Sequence, residues 1–329
     1  MEEKGKKGRM DYTLLLIVVL LVVIGLVILY STSAYNGQVK FHDSFYYLKK
    51  QAFATVLGIV LMLFVAGMDY HIWQRLAVFG YLAAVALSVA VMLFGREING
   101  SKRWLALGPF SFQPSEFAKV ALILFLADLV TKNVKTIGKM WTLCRIMFWI
   151  LPIVGLVGAS NLSTAIIILG IGVILIFVAS PKYAQFALMG IAGACFMGIF
   201  LALESYRLER LAIWRNPEKY EKGYQTLQGL YAIGSGGVFG VGIGNSVQKL
   251  GFVPEAQNDM IFSIICEELG LAGAGIIVFL FLLLIWRFFL IASGSRDLFG
   301  ALIATGAMAH MMIQVILNIA VVTNTIPNT

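Results

Sequence analysis

Apolar residues in this chain fall in long unbroken blocks, without the period of two of a half-buried strand or the 3.6 of a surface helix. Blocks of about 17–25 such residues can cross a bilayer as helices, since the hydrocarbon core is about 30 Å thick and each helical residue advances about 1.5 Å. Nine segments are expected, near residues 12–30, 52–68, 77–94, 117–130, 146–158, 164–180, 184–203, 270–292 and 299–322. The fourth and fifth are short, and their flanks carry them. The pattern predicts an all-α polytopic membrane protein with about nine transmembrane helices. Residues 205–258 interrupt it with an interval too long for an idle connection. That interval mixes Tyr206, Trp214, Tyr220, Tyr224, Tyr231, Phe239 and Phe252 with charges, which argues against disorder.

Composition agrees. The 329 residues are 60% hydrophobic and 13% charged, against about 45–50% and 25% in soluble domains. Mean hydropathy is +0.87. Cys144, Cys195 and Cys266 are odd in number and lie in apolar runs, so no disulfide framework is implied, and His42, His71 and His310 fit no zinc spacing. A net charge of +8 would suit nucleic acid, but its placement points to membrane topology and no nucleic-acid partner is expected. Lys4, Lys6, Lys7 and Arg9 precede the first block, and no small-residue cleavage site follows it, so it reads as an anchor. With that tail in the cytoplasm, twelve basic residues fall on inner segments and six on short outer loops, as the positive-inside rule requires. The expected organisation is a single transmembrane domain over 1–329, with a cytoplasmic tail at 1–11 and a long extracytoplasmic loop at 205–258.

Polar residues in or beside membrane spans mark pairing, a cavity or function. Gln113-Pro114-Ser115-Glu116-Phe117-Ala118-Lys119 places Pro114 in a first helical turn and Glu116 and Lys119 on one face. These two form either an internal ion pair or the lining of a polar cavity. Pro254-Glu255-Ala256-Gln257-Asn258-Asp259 lies where the outer loop returns to the membrane. Asp259 either caps a helix or, partly buried, acts as a general base. Lys102 and Arg103 in one outer loop, with Arg207, Arg210, Arg215 and Lys249 in the long one, are headgroup anchors or a cradle for a diphosphate. His310, Gln314 and Asn318 form one helical stripe that interhelical hydrogen bonds explain. The run from Gly234 to Gly244 matches neither a P-loop nor a dinucleotide fingerprint. Its glycines let backbone turn tightly or approach another group closely.

Asn99-Gly100-Ser101-Lys102-Arg103-Trp104 followed by Gln113 to Lys119 resembles the signature of the SEDS family (shape, elongation, division and sporulation). So do Gly223-Tyr224-Gln225, Gln228, Ala232-Ile233-Gly234, Gly236-Gly237, Gly240, Gly244, Ser246, Gln248-Lys249 and Pro254-Glu255-Ala256 to Asp259. The likeness covers essentially the whole chain and is greater to the division and sporulation branch, FtsW-like, than to RodA. It implies a peptidoglycan glycosyltransferase that polymerises lipid II, a disaccharide-pentapeptide on undecaprenyl diphosphate, in division or sporulation. It puts the family's catalytic aspartate on Asp259 and its cavity pair on Glu116 and Lys119. Ser246, Gln248, Lys249 and Glu255 join Lys102, Arg103 and Arg210 as substrate-binding candidates. The implied partners are a class B penicillin-binding protein and other divisome or sporulation membrane proteins. The implied cofactor is a divalent cation, Mg²⁺ or Mn²⁺, with ligands unassigned and no organic cofactor.

The chain departs from the family pattern in three places. Asn161 and Ser163 stand where Gln-Pro-Asp-Leu-Gly-Thr often occurs, and Gln257-Asn258 where His-Thr often precedes the aspartate. The family's tenth helix is absent from these 329 residues. The rival readings are a lipid II transporter, which needs no base at Asp259, and a scaffold for a penicillin-binding protein, which needs no chemistry.

Overall fold

The computed structural model describes residues 10–98, 101–107, 110–187, 190, 212–254 and 256–327. In chain order the elements are α1 (Tyr12–Phe41), α2 (Tyr46–Ala66), α3 (His71–Phe94), β1 (Arg96–Ile98), β2 (Ser101–Leu107), β3 (Phe110–Phe112), α4 (Pro114–Asn133), α5 (Met140–Gly158) and α6 (Leu162–Ala179). After two short 3₁₀ turns come α7 (Tyr224–Ser235), α8 (Ile261–Ser293) and α9 (Leu298–Val322).

Among the described residues seven helices are long and apolar enough to cross a membrane, namely α1, α2, α3, α5, α6, α8 and α9. This corrects the expected nine. The segment expected at 117–130 is helical as α4, but Glu116, Lys119, Asp128 and Lys132 make it too polar to qualify. It tolerates them because α3, α5, α6 and α9 pack around it and each charge has a partner within the helix: Glu116 with Lys119 at 2.9 Å and Asp128 with Lys132 at 2.6 Å. The segment expected at 184–203 falls largely outside the described residues.

Helix boundaries follow local chemistry. Asp11 caps α1 by accepting from the Leu14 N–H at 2.9 Å, and the helix ends at His42 in a left-handed conformation. Asn161 caps α6 through the Thr164 N–H, and Asp297 caps α9 through the Gly300 N–H at 2.7 Å. Burial pushes the Asp297 carboxyl up, but the Gly300 N–H, the Tyr70 hydroxyl and nearby His71 outweigh it and hold the acid below its ordinary value. Pro114 occupies the first turn of α4, where its missing N–H leaves no bond unmade.

Chain contacts divide the molecule into two units. The first holds residues up to Asp69 and Tyr224–Arg287; the second holds Tyr70–Gly223 and Phe288 onward. In the second unit Leu122, Leu126, Ile146, Ile150, Ile168 and Ile171 are fully buried. Close packing is aided by small residues: Gly172 faces Ile150, and Gly306 faces Ile123. In lipid, such contacts and van der Waals fit, more than transfer from water, drive helix association. This unit also carries a three-stranded antiparallel sheet, β1-β2-β3, with Ile98 opposite Ser101 and Leu107 opposite Phe110. In the first unit α1 packs on α2, and a smaller core joins Ile28 to Ile265, Cys266, Ala274 and Ile277 of α8.

Candidate functional site

The first unit is organised around a break in α8. Gly270 has φ 67° and ψ −171°, which interrupts the helix. The groups freed by the break are matched by the glycine-rich loop that follows α7. Leu271 and Ala272 donate to the carbonyls of Gly237 and Val238 at 2.9 and 3.0 Å, while Val241 and Gly242 donate to the carbonyls of Glu267 and Glu268 at 2.9 Å each. Buried backbone groups must be paired, above all in a membrane, and here two chain segments complete each other. Glycine is required on both sides, because a Cβ at Gly240 or Gly270 would collide with the facing backbone and both residues have positive φ. The close approach expected of these glycines is therefore to their own chain.

The break sets two adjacent carboxylates, Glu267 and Glu268, in the interior, each 3% exposed. Glu268 accepts from Lys249 Nζ at 2.6 Å and from Ser31 Oγ at 2.7 Å, and Lys249 also donates to Ser31 Oγ at 2.9 Å. Glu267 accepts from Ser246 Oγ at 2.5 Å and from the Val247 N–H at 3.1 Å. Ser246 Oγ in turn accepts from the Lys249 N–H at 3.2 Å. The candidates Ser246 and Lys249 thus come together, pointing inward. Neighbouring Gln248 is half-buried, its Oε1 buried without a hydrogen-bond partner, and its carbonyl accepts from the Val253 N–H at 2.9 Å.

Sequence reasoning missed Ser31, Glu267 and Glu268. The signal was available, since two adjacent carboxylates inside an apolar run are expensive unless they have partners. Ser31 was hidden because it sits past the end of the first apolar block, whereas α1 continues as helix to Phe41.

Asp259 lies on the turn between this network and α8. Its neighbours are fixed: Met260 is buried, and Gln257 is buried and accepts from Asn36 Nδ2 at 3.0 Å. Asp259 itself is exposed, where partial burial was expected. The turn that carries this exposed carboxylate is anchored on both sides of it by buried neighbours. Glu255, Arg207 and Arg210 lie outside the described residues.

In the second unit, Lys119 is 2% exposed and pairs with Glu116, whose side chain is 54% exposed. Gln314 of α9 accepts from Lys119 Nζ at 3.5 Å, so that residue of the polar stripe on α9 bonds to α4. Arg103 lies in β2 and donates through Nε to the Ser160 carbonyl at 3.0 Å. Arg103, Gln113, Ser160 and Asn161 border a cavity of about 10 Å³, room for a single water. Lys102 lies in the same strand, opposite Glu97 in register. Among the described residues no three His, Cys, Asp or Glu side chains converge as a metal cage.

Residues 12–329 match the family described as "Cell cycle protein" (FtsW/RodA/SpoVE). The chain is 38% identical to Stage V sporulation protein E of Bacillus subtilis, covering 98% of this chain and 90% of that protein. It is 34% identical to the probable peptidoglycan glycosyltransferase FtsW of Trichlorobacter lovleyi, over 96% and 85% of the two chains. Its fold matches a chain solved in a study of how a peptidoglycan synthase complex coordinates polymerization and crosslinking, with a TM-score of 0.81 and 28% identity over 97% of this chain and 89% of that one. Motifs, fold and full-length similarity agree, and the chain belongs to the FtsW/RodA/SpoVE family of multi-pass membrane proteins.

Proposed function

We infer that this chain is a peptidoglycan glycosyltransferase that polymerises lipid II at the outer face of the cytoplasmic membrane and releases undecaprenyl diphosphate. Similarity running the length of glycosyltransferase relatives carries the reading. The anchored, outward-facing turn at Asp259 supports it. In the reaction the acceptor sugar hydroxyl attacks the anomeric carbon of the second lipid-linked sugar. A C–O bond forms there, the bond to the diphosphate breaks, and the hydroxyl proton passes to Asp259 as general base. The departing diphosphate gathers negative charge, which cationic groups stabilise. Lys102, Arg103 and Arg210 are the proposed donors. Glu116 and Lys119 are proposed to shape the cavity of their own unit. In this conformation Lys249 serves the buried network.

A divalent cation belongs to the same proposal. Its ligands are unassigned, since no three His, Cys, Asp or Glu side chains converge among the described residues. When bound, such an ion would supply positive charge to the leaving diphosphate. A class B penicillin-binding protein is the proposed partner, and the basic tail at Lys4, Lys6, Lys7 and Arg9 supports a cytoplasmic N-terminus.

The test is polymerisation of labelled lipid II by the purified protein with Mg²⁺ or Mn²⁺, alone and with a class B penicillin-binding protein. Asp259→Asn is expected to bind lipid II normally and make no polymer. Equal product from both would remove Asp259 from the chemistry. Wild-type protein that binds lipid II and never polymerises it would favour transport or scaffolding.

A further inference from the structure

A groove of about 460 Å³ opens in the first unit between α1, α2 and the turn that leads into α8. Its α1 wall is apolar, with Val22, Gly25, Leu26 and Leu29 on one helical stripe. Its α2 wall is polar, with Tyr47, Lys50 and Gln51 on one face, and Asn258, next to Asp259, borders it as well. Among the described residues that line it, Lys50 alone is charged. Its ammonium donates to the Tyr46 hydroxyl at 2.6 Å and, having three protons, keeps donors for a second acceptor. The α2 helix has no buried residue, so this wall is covered by little protein and can be reached from the bilayer.

A groove with one hydrocarbon wall, one polar wall and a single cation suits a ligand that is a hydrocarbon chain on one side and an anion on the other. We propose that this groove binds the diphosphate-proximal part of a lipid-linked isoprenyl diphosphate, its chain along Gly25 and Leu29 and its phosphate at Lys50. The identity of that ligand as lipid II rests on the glycosyltransferase reading above. The volume suits a headgroup-proximal segment, leaving the rest of the isoprenyl chain in the bilayer. The position explains how a substrate is delivered to Asp259, since the ligand's anionic end lies beside the residue that precedes the carboxylate. Anionic phospholipid shares the same chemistry, and competition separates the two sources.

Gly25 makes the test clean. A Cβ added there meets nothing within 4 Å, and replacing glycine within a helix favours the helix, so Gly25→Leu should fold while filling the groove. Lipid II with a photoreactive group near the diphosphate end of its isoprenyl chain is expected to crosslink to residues 22–29 in wild type, and a hundredfold excess of phosphatidylglycerol should not displace it. Gly25→Leu should lose the crosslink at unchanged melting temperature. Lys50→Gln should raise the lipid II concentration needed for half-maximal crosslinking about tenfold, the value of one charge-assisted hydrogen bond. In polymerisation both should raise KM more than they lower kcat. Crosslinks elsewhere, equal competition by phosphatidylglycerol, or Gly25→Leu with wild-type crosslinking would overturn the proposal. Crosslinking at residues 22–29 by a wild-type protein that makes no polymer would uphold the groove and sink the enzymatic reading instead.

Discussion

Lys249 carries a charge into a site where it is 6% exposed and meets that cost with Glu268 and Ser31. A buried ion pair is weak evidence for net stability, but removing one member leaves the other charged and dehydrated, at a cost of about 3–5 kcal/mol. Lys249→Met is therefore expected to lower stability by about that much, while Lys249→Met combined with Glu268→Gln should recover most of the loss. Thermal unfolding in detergent checks this; a double variant no better than the single one would show that the pair is not coupled. Lys119 poses the same problem with a different answer, since its partner Glu116 lies one turn away on the same helix and is half exposed. Residue types and spacing made the Glu116–Lys119 pair legible before any fold was known. The Lys249–Glu268 pair was not, because its members lie 19 positions apart in a loop and a helix, and no rule of local spacing joins them or brings in Ser31 from more than two hundred positions earlier.

At the scale of elements, the break in α8 and the loop that fills it form one structure. Gly270→Ala would put a Cβ against the Val238 carbonyl at a positive φ. Backbone strain alone is about 1–3 kcal/mol, and the lost loop contacts add to it. The expected result is faster cleavage of the 236–245 segment by protease, with the helices elsewhere intact by circular dichroism; unchanged cleavage would refute the coupling. Density of glycine announced a close backbone approach, but only the fold says to what. The sheet is a similar case. Strands β1 and β2 pair with Ile98 opposite Ser101, and in the sequence an Asn-Gly dipeptide is a strong hairpin signal; it was overshadowed by the basic residues beside it. The helix α4 misled in the reverse direction. Its apolar centre made it look like a span at 117–130, whereas its charges disqualify it, and packing among four other helices together with its own ion pairs lets it keep them.

For the whole molecule, apolar blocks gave the helical membrane character, and the overcount came from α4 and from the block at 184–203, which the described residues largely exclude. Length and hydropathy measure what lipid would accept, not what neighbouring protein accepts. Orientation rests on charge. With the basic tail inside, a single cysteine placed at Gly5 in a cysteine-free background should resist a membrane-impermeant thiol reagent in intact cells and react after permeabilisation. Labelling in intact cells would reverse the topology and move the Asp259 turn away from the outer face.

The bond from Ser31 to Glu268 spans 237 residues, and that separation has a consequence in time. Ribosomes add about 5–20 residues per second, so α1 waits on the order of ten to fifty seconds for the carboxylate that completes its polar patch. Its hydroxyls are suited to the delay. Thr32 and Ser33 donate to the Leu29 carbonyl of their own helix, which leaves Ser31 as the one turned toward Glu268. The helix α1 thus meets part of its own polar demand until the residues around Glu268 have been synthesised, and the network beside the Asp259 turn is completed only then. Assembly of the reactive end is a late event in the life of each molecule, timed by translation.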